Sequence, residues 1–268
     1  MKQNLILVKL GGSLITDKSR PFTAKEAEIL RFAKEIKNAL KVYKGKLLIA
    51  HGSGSFGHSV AAKYKTQLGI VNDKSTKGFP LVADAAVQIN RIVIKNFLKV
   101  GLPAVSFSPL SFLVTKNQKV TKYLVDHIKN ALNVGLIPVL YGDVIMDTKK
   151  GFCIYSGEKT LNFLANSLAG EYKITKIIYV TDTDGVYNAK GNTIPKISPK
   201  NFKNFKKSIL GSQKTDVTGG MLHKVKESLK IAKELKIPTY IINGNKKENL
   251  KRAILGIPKA ATRLTNHK

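Results

Sequence analysis

Short apolar runs alternate with stretches of helical period along the whole chain, and glycine turns stand at several of the junctions. Residues 5–10, 47–50, 104–107, 138–141, 177–180 and 239–242 read as strands. Between them, Ile29, Ala33, Ile36 and Leu40 share one helical face, and Val82, Ala86, Ile89, Val93 and Phe97 share another. Thr23 followed by Glu26 predicts a capping box at the start of the first helix. Further helices are expected over 159–170 and 220–235, and "VIMDTKKGFCIYS" predicts a β-hairpin turning near 149–151. Such alternation predicts an α/β fold with a mostly parallel sheet covered by helices on both faces. Residues 188–214, lysine-rich and weakly periodic, read as an excursion over the surface.

At 268 residues the chain is long enough for a substantial core. Its single cysteine, Cys153, excludes an internal disulfide framework and fits a reducing compartment. The N-terminus is interrupted by Lys9 too early for a secretory core, and no apolar run reaches a membrane span, so a cytoplasmic protein is expected. The net charge of +29 attracts anions: nucleic acid, anionic lipid or phosphorylated metabolites. The lysines are scattered rather than gathered in a tail and arginines are few, which favours solvated surface lysine. Trp is absent and Phe and Tyr are sparse, which argues against a nucleic-acid-binding regulatory protein.

The stretch "LLIAHGSGSFGHS" spells G-x-G-x-x-G at Gly52, Gly54 and Gly57, directly after a strand. That is the dinucleotide fingerprint, with Asp73 near the place of a ribose-binding acid. The dinucleotide reading fails on number and placement. Such an enzyme needs one glycine turn, on its first strand, whereas here the first strand leads into "KLGGSLITDK" and a third turn, "DVTGGMLHK", opens a helix near residue 220. Each turn offers backbone N–H groups and a positive helix end to an anion, and glycine lets the anion approach. Several glycine turns with lysines close by therefore point to phosphate. No Walker motif occurs.

The chain resembles the amino acid kinase family. The similarity runs in the family's order through "KLGGSLITDK", "HGSGSFGH", "YGDV", "YSGE", "TDTDGVY", "DVTGGMLHK" and "ATRL", nearly the whole length. At His58, "HGSGSFGH" resembles the archaeal branch of the family, which implies phosphorylation of isopentenyl phosphate. The resemblance implies an open αβα sandwich of one domain, residues 1–268, with an acceptor-binding lobe of about 1–158 and a nucleotide-binding lobe of about 159–268. It implies ATP, Mg²⁺ carried by the nucleotide, a small phosphomonoester acceptor and a homodimer. A uridylate, glutamate or acetylglutamate kinase is the alternative within the family. Such an enzyme would carry a base- or carboxylate-recognising group where His58 stands.

A phosphate acceptor is already anionic, so catalysis reduces to alignment and charge neutralisation without a general base. By resemblance, Lys9, Lys18 and His58 are catalytic. The nucleotide falls to Lys9, Gly11, Gly12, Ser13, Gly54, Asp182, Tyr187, Gly219, Gly220 and Lys224, and the acceptor to Gly52, Ser53, Gly54, His58, Gly142, Asp143 and Gly157. Asp216 and Thr218 read as helix caps. The family's S-G-D is Ser156-Gly157-Glu158 here; glutamate keeps the charge and adds a methylene, which leaves open how it orients the lysines. Phe79, Val82, Ala86, Ile89, Ile145 and Ile154 are candidates for a pocket around an apolar tail.

Overall fold

Strand β1 (Asn4–Leu10) is buried along all but its first residue, and its alternation serves two cores. Leu5 and Leu7 join Leu48 and Ala50 in one apolar layer; Ile6, Val8 and Leu10 join Leu47 and Ile49 in the other. A strand apolar on both faces must be covered on both, which is why helices lie above and below it. The computed structural model describes residues 1–211 and 220–266.

The other strands are β2 (Lys46–His51), β3 (Ala104–Ser106), β4 (Leu113–Lys116), β5 (Lys119–Tyr123), β6 (Ile137–Tyr141), β7 (Asp143–Asp147), β8 (Gly151–Tyr155), β9 (Lys173–Thr181), β10 (Lys196–Ile197), β11 (Thr239–Asn243) and β12 (Ala261–Leu264). The helices are α1 (Gly12–Ile15), α2 (Glu26–Leu40), α3 (Gly54–Tyr64), α4 (Asp73–Lys99), α5 (Pro109–Phe112), α6 (Asp126–Asn133), α7 (Gly157–Leu168), α8 (Phe202–Gly211), α9 (Gly220–Leu235) and α10 (Asn249–Leu255). Eight strands form the main sheet in the order β10-β12-β11-β9-β1-β2-β6-β3, parallel except where β11 meets β12. Helices α2, α4 and α10 cover one face, and α6, α7 and α9 cover the other. This is the open, mostly parallel αβα sandwich expected. The predicted hairpin is β7–β8, which joins β4 and β5 in a separate four-stranded sheet.

Two local expectations are corrected. The Thr23–Glu26 capping box does not form: Thr23 lends its carbonyl to the Asp17 N–H and Ala24 bridges to Thr16. That extended pairing delays α2 to Glu26, behind Lys25, with no side-chain cap. Residues 188–206 are also more than a surface excursion. Ile194 and Ile197 are buried, and β10 pairs with β12 to close one edge of the sheet. Asp73 lies in the first turn of α4, behind a capping box made by Asn72 and Ser75, and so has a structural position. Among the described residues no helix is long and apolar enough to cross a membrane.

Candidate active site

The carboxyl ends of β11, β9, β1, β2 and β6 lie side by side, and four glycines step across them. The Gly244 N–H donates to the carbonyl of Thr181, Gly11 to that of Val180, Gly52 to that of Leu10 and Gly142 to that of His51. Each bond extends the ladder by one residue onto the neighbouring strand. The turns after β1 and β2 are thereby forced together. A Cβ on Gly12 would sit 2.9 Å from the backbone of Gly54, which itself has φ +52. Helices α1, α3 and α7 begin at this edge, so several positive helix ends face one cleft, the usual place for an anion in an open α/β sheet.

Side-chain charge converges there for a reason readable in the period of β1. Lys9 follows Leu5 and Leu7 on one face, the face covered by α7 and α9. At the strand end its ammonium meets Glu158 in the first turn of α7 at 3.0 Å, and Lys224 near the start of α9 reaches the same carboxylate oxygen at 3.4 Å. Burial acts to raise the Glu158 carboxyl, but the two ammonium groups hold it down at about 2. Burial pulls the Lys9 ammonium below its ordinary range; Glu158 opposes this and Lys224 adds to it. Two lysine side chains thus converge on one carboxylate oxygen at the mouth of the cleft. Asp182, past the end of β9, is close enough to act on Lys9.

His58 lies on the first turns of α3, exposed on one side. Partial loss of water, then the charges of Lys18 and Lys9, lower its imidazole. Lys9, Lys18, His58 and Lys224 therefore belong to one neighbourhood. Asp143 is buried beside Gly142, accepting from the Val144 N–H at 2.8 Å and the Ser108 hydroxyl at 3.1 Å, and burial pushes its carboxyl up to about 7. Gly157 packs on the end of β2, where a Cβ would lie 2.6 Å from the His51 carbonyl. Tyr187 turns back into its own loop, its hydroxyl accepting from the Asp184 N–H at 3.0 Å. Ser13 sits in α1 beside Gly11 and Gly12, and Ser53 precedes α3; Gly220 opens α9. Gly219, Asp216 and Thr218 lie outside the described residues.

Sequence reasoning missed two buried groups behind the turns. Thr16 bonds to both the first and the second glycine turn. His51 ends β2 with Nδ1 3.0 Å from the Gly52 carbonyl and Nε2 3.1 Å from the Asn90 amide, whose Oδ1 takes the Ser106 hydroxyl at 2.5 Å. Burial lowers this imidazole to about 4, so it is neutral near pH 7, and the carbonyl partner fixes its proton on Nδ1. His51 was in view within the quoted motif, but only as the last residue of a strand.

The apolar-tail candidates divide. Phe79, Val82 and Ile154 cluster with Val144 and Phe152, whereas Ile89 belongs to the layer under α2 and α4 and Ile145 to the opposite layer. Cavities of about 780 and 720 Å³ open at the other end of the sheet, beside Asn4, Lys46 and Lys176 and beside Lys2 and Lys173; none of the predicted site residues lines them.

Residues 4–243 match the model of the amino acid kinase family. The isopentenyl phosphate kinase of Methanocaldococcus jannaschii is 37% identical over 262 residues, spanning 94% of this chain and 95% of its own. That of Methanothermobacter thermautotrophicus is 34% identical over 271 residues, spanning 97% and 99%. A solved structure described as isopentenyl phosphate kinase superposes with a TM-score of 0.81 at 31% identity, covering 97% of this chain and 100% of that one.

Proposed function

The chain belongs to the amino acid kinase family, and we propose that it transfers the γ-phosphoryl group of ATP to isopentenyl phosphate. The observation that carries this reading is the contact between the Gly12 turn and the Gly54 turn above the Lys9–Glu158–Lys224 cluster. Two phosphate cradles that touch suit a reaction between two phosphorylated molecules. Relatives that match this chain at 34–37% identity over nearly its whole length are isopentenyl phosphate kinases.

In this reading the turn at Gly11, Gly12 and Ser13 and the start of α9, at Gly219, Gly220 and Lys224, take the nucleotide phosphates, with Asp182 and Tyr187 toward the nucleoside. Gly52, Ser53, Gly54, Gly142, Asp143 and Gly157 surround the acceptor. Mg²⁺ brought by the nucleotide would offset the charge of its phosphates. Lys9 and Lys18 neutralise charge on the moving group. Glu158 holds the Lys9 and Lys224 ammonium groups in place without touching the ligands. His58 donates to the acceptor phosphate. Its imidazole is lowered in the free protein, and a dianion beside it stabilises the protonated form, so acceptor binding and proton uptake at His58 are coupled. The chain divides into an acceptor lobe to about residue 158 and a nucleotide lobe beyond it.

An ADP-release assay across isopentenyl phosphate, dimethylallyl phosphate, UMP, glutamate and acetylglutamate tests the reading. The expected result is turnover with the prenyl monophosphates. Turnover confined to an amino acid or to UMP would overturn it.

A further inference from the structure

We propose that Thr16 is a positioning residue that fixes the gap across which the phosphoryl group moves, by pinning the turn after β1 to the turn after β2. The inference rests on the reading that these two turns hold two phosphorylated ligands.

Thr16 follows α1 and is fully buried. Its hydroxyl donates to the Gly12 carbonyl at 2.8 Å and accepts from the Ser55 N–H at 3.0 Å. A hydroxyl has one proton, and here it is used on one turn while a lone pair is used on the other. Thr16 is therefore committed to holding the two turns and does not face a ligand.

The second bond does work that α3 cannot do for itself. Ser55 is the second residue of that helix, where N–H groups lack an intrahelical partner. The helix's own cap position, Ser53, makes no side-chain cap bond. The start of α3 is thus capped from the other turn. The fit leaves no slack: a Cβ on Gly54 would lie 2.0 Å from the Thr16 hydroxyl oxygen, and one on Gly12 would lie 2.9 Å from Gly54. Gly12, Gly54 and Thr16 form one close-packed unit between the proposed donor and acceptor phosphates.

Removing the hydroxyl has an asymmetric effect. The Gly12 carbonyl keeps its bond from the Thr16 N–H at 2.9 Å, so the first turn survives. The Ser55 N–H is left bare, and α3, with His58 on it, is free to shift relative to Gly12. Displacements of this kind, on the order of 1 Å, cost about a hundredfold in rate.

The test compares Thr16→Val, nearly isosteric but without the hydroxyl, with Thr16→Ser, which keeps it. Each is assayed with ATP and isopentenyl phosphate, following both diphosphate product and inorganic phosphate. Thr16→Val is expected to lower kcat about a hundredfold while both KM values stay within about threefold, and to raise the share of ATP lost to water. Thr16→Ser is expected to retain most of the rate and the wild-type share. That share is read only from active molecules, so partial misfolding does not mimic the effect. If Thr16→Val fails to fold, Thr16→Ala removes the same hydroxyl and is read the same way. Wild-type kcat and coupling in Thr16→Val, or equal losses in both variants with coupling unchanged, would overturn the inference. If the wild-type protein itself phosphorylates no prenyl monophosphate, it is the reading of the site that fails.

Discussion

On the β2 side of β1, the turn carrying Gly52 and Gly54 is tied down by neutral groups alone; on the β9 side, the loop carrying Asp182 and Asp184 adds a charged pair near water to a base of neutral hydroxyl bonds. The first is held by Thr16 from the front and by the His51–Asn90–Ser106 chain from behind, with Thr16, His51 and Asn90 all buried. The second is held at its base by the Thr181 and Thr183 hydroxyls and by the buried Thr262 hydroxyl, which accepts from the Val186 N–H, and at its tip by Asp184, bonded to the Asn243 amide and to the exposed Lys246 ammonium at 2.8 Å each. Buried hydrogen bonds of neutral groups are insensitive to salt, whereas an exposed ion pair is screened and contributes little. The proposed acceptor half is therefore built for fixed geometry. The proposed nucleotide half adds to its fixed base one contact, the Asp184–Lys246 pair, that opens and re-forms cheaply. Lys9, on the strand between them, is anchored to neither loop but to Glu158.

The largest separation of the two halves is expected from His58→Ala. Loss of a hydrogen bond to a charged phosphate corresponds to ~1.5–3 kcal/mol, or about ten- to a hundredfold. The acceptor KM rises by that factor and the ATP KM stays near its wild-type value, as initial-rate kinetics with each substrate varied will show. Equal increases in both KM values would break the division of the cleft drawn here.

How much of this was visible beforehand differs between the halves for physical reasons. Strands β1, β2, β6, β9 and β11 were legible because each is buried on both faces over most of its length and carries an apolar run of at least three residues. Strand β5 was not, because its residues are mostly exposed, and β10 has only two residues. The glycine turns were legible because backbones that approach as closely as those of Gly12 and Gly54 leave no room for a side chain, whereas Lys18 and Lys224 stood out from the other lysines only through the family resemblance. Thr16 was not legible, since its partner Ser55 lies 39 residues away and a threonine before a loop carries no signature. Thr23 misled in the opposite sense. Its spacing to Glu26 suits a cap, but the pairing of Ala24 with Thr16 took precedence. Ile89 and Ile145 misled because periodicity identifies a buried face without saying which of two cores it enters.

A smaller effect sharpens the place of Lys9 between the halves. Glu158→Gln keeps the shape of the side chain and removes the carboxylate that raises the Lys9 ammonium against burial and Lys224. The Lys9 ammonium is then lowered further, and a lysine loses its charge as pH rises. The alkaline limb of the kcat/KM profile is expected to move to lower pH, with kcat near neutrality reduced about tenfold, equivalent to ~1.4 kcal/mol. Glu158→Asp, shorter by a methylene but still charged, is expected to shift the limb less. A Glu158→Gln profile superimposable on wild type would separate Glu158 from the positioning of the lysines.

The smallest effect concerns stability, and it asks whether the acceptor half really is held by neutral groups. His51 is lowered from 6.5 to about 4, so it contributes stability that is complete above about pH 6.5 and is lost as pH falls toward 4. Asp143 is raised from 3.8 to about 7, so it costs stability that is absent below about pH 4 and complete above about 7. At ~1.4 kcal/mol per pH unit these are opposing contributions of ~3 and ~4 kcal/mol, which nearly cancel between pH 4 and 6.5. Removing either exposes the other. Urea unfolding of Asp143→Asn is expected to give a free energy that climbs more steeply with pH across that window than in wild type, and His51→Asn one that climbs less or falls. Because the two slopes must diverge in opposite directions, a general loss of stability in both variants cannot imitate the result. Parallel slopes would mean that burial shifts neither group, so that His51 takes up its proton near 6.5 as in the unfolded chain, and the account of the Gly52 turn as held by a neutral imidazole across this window would fail.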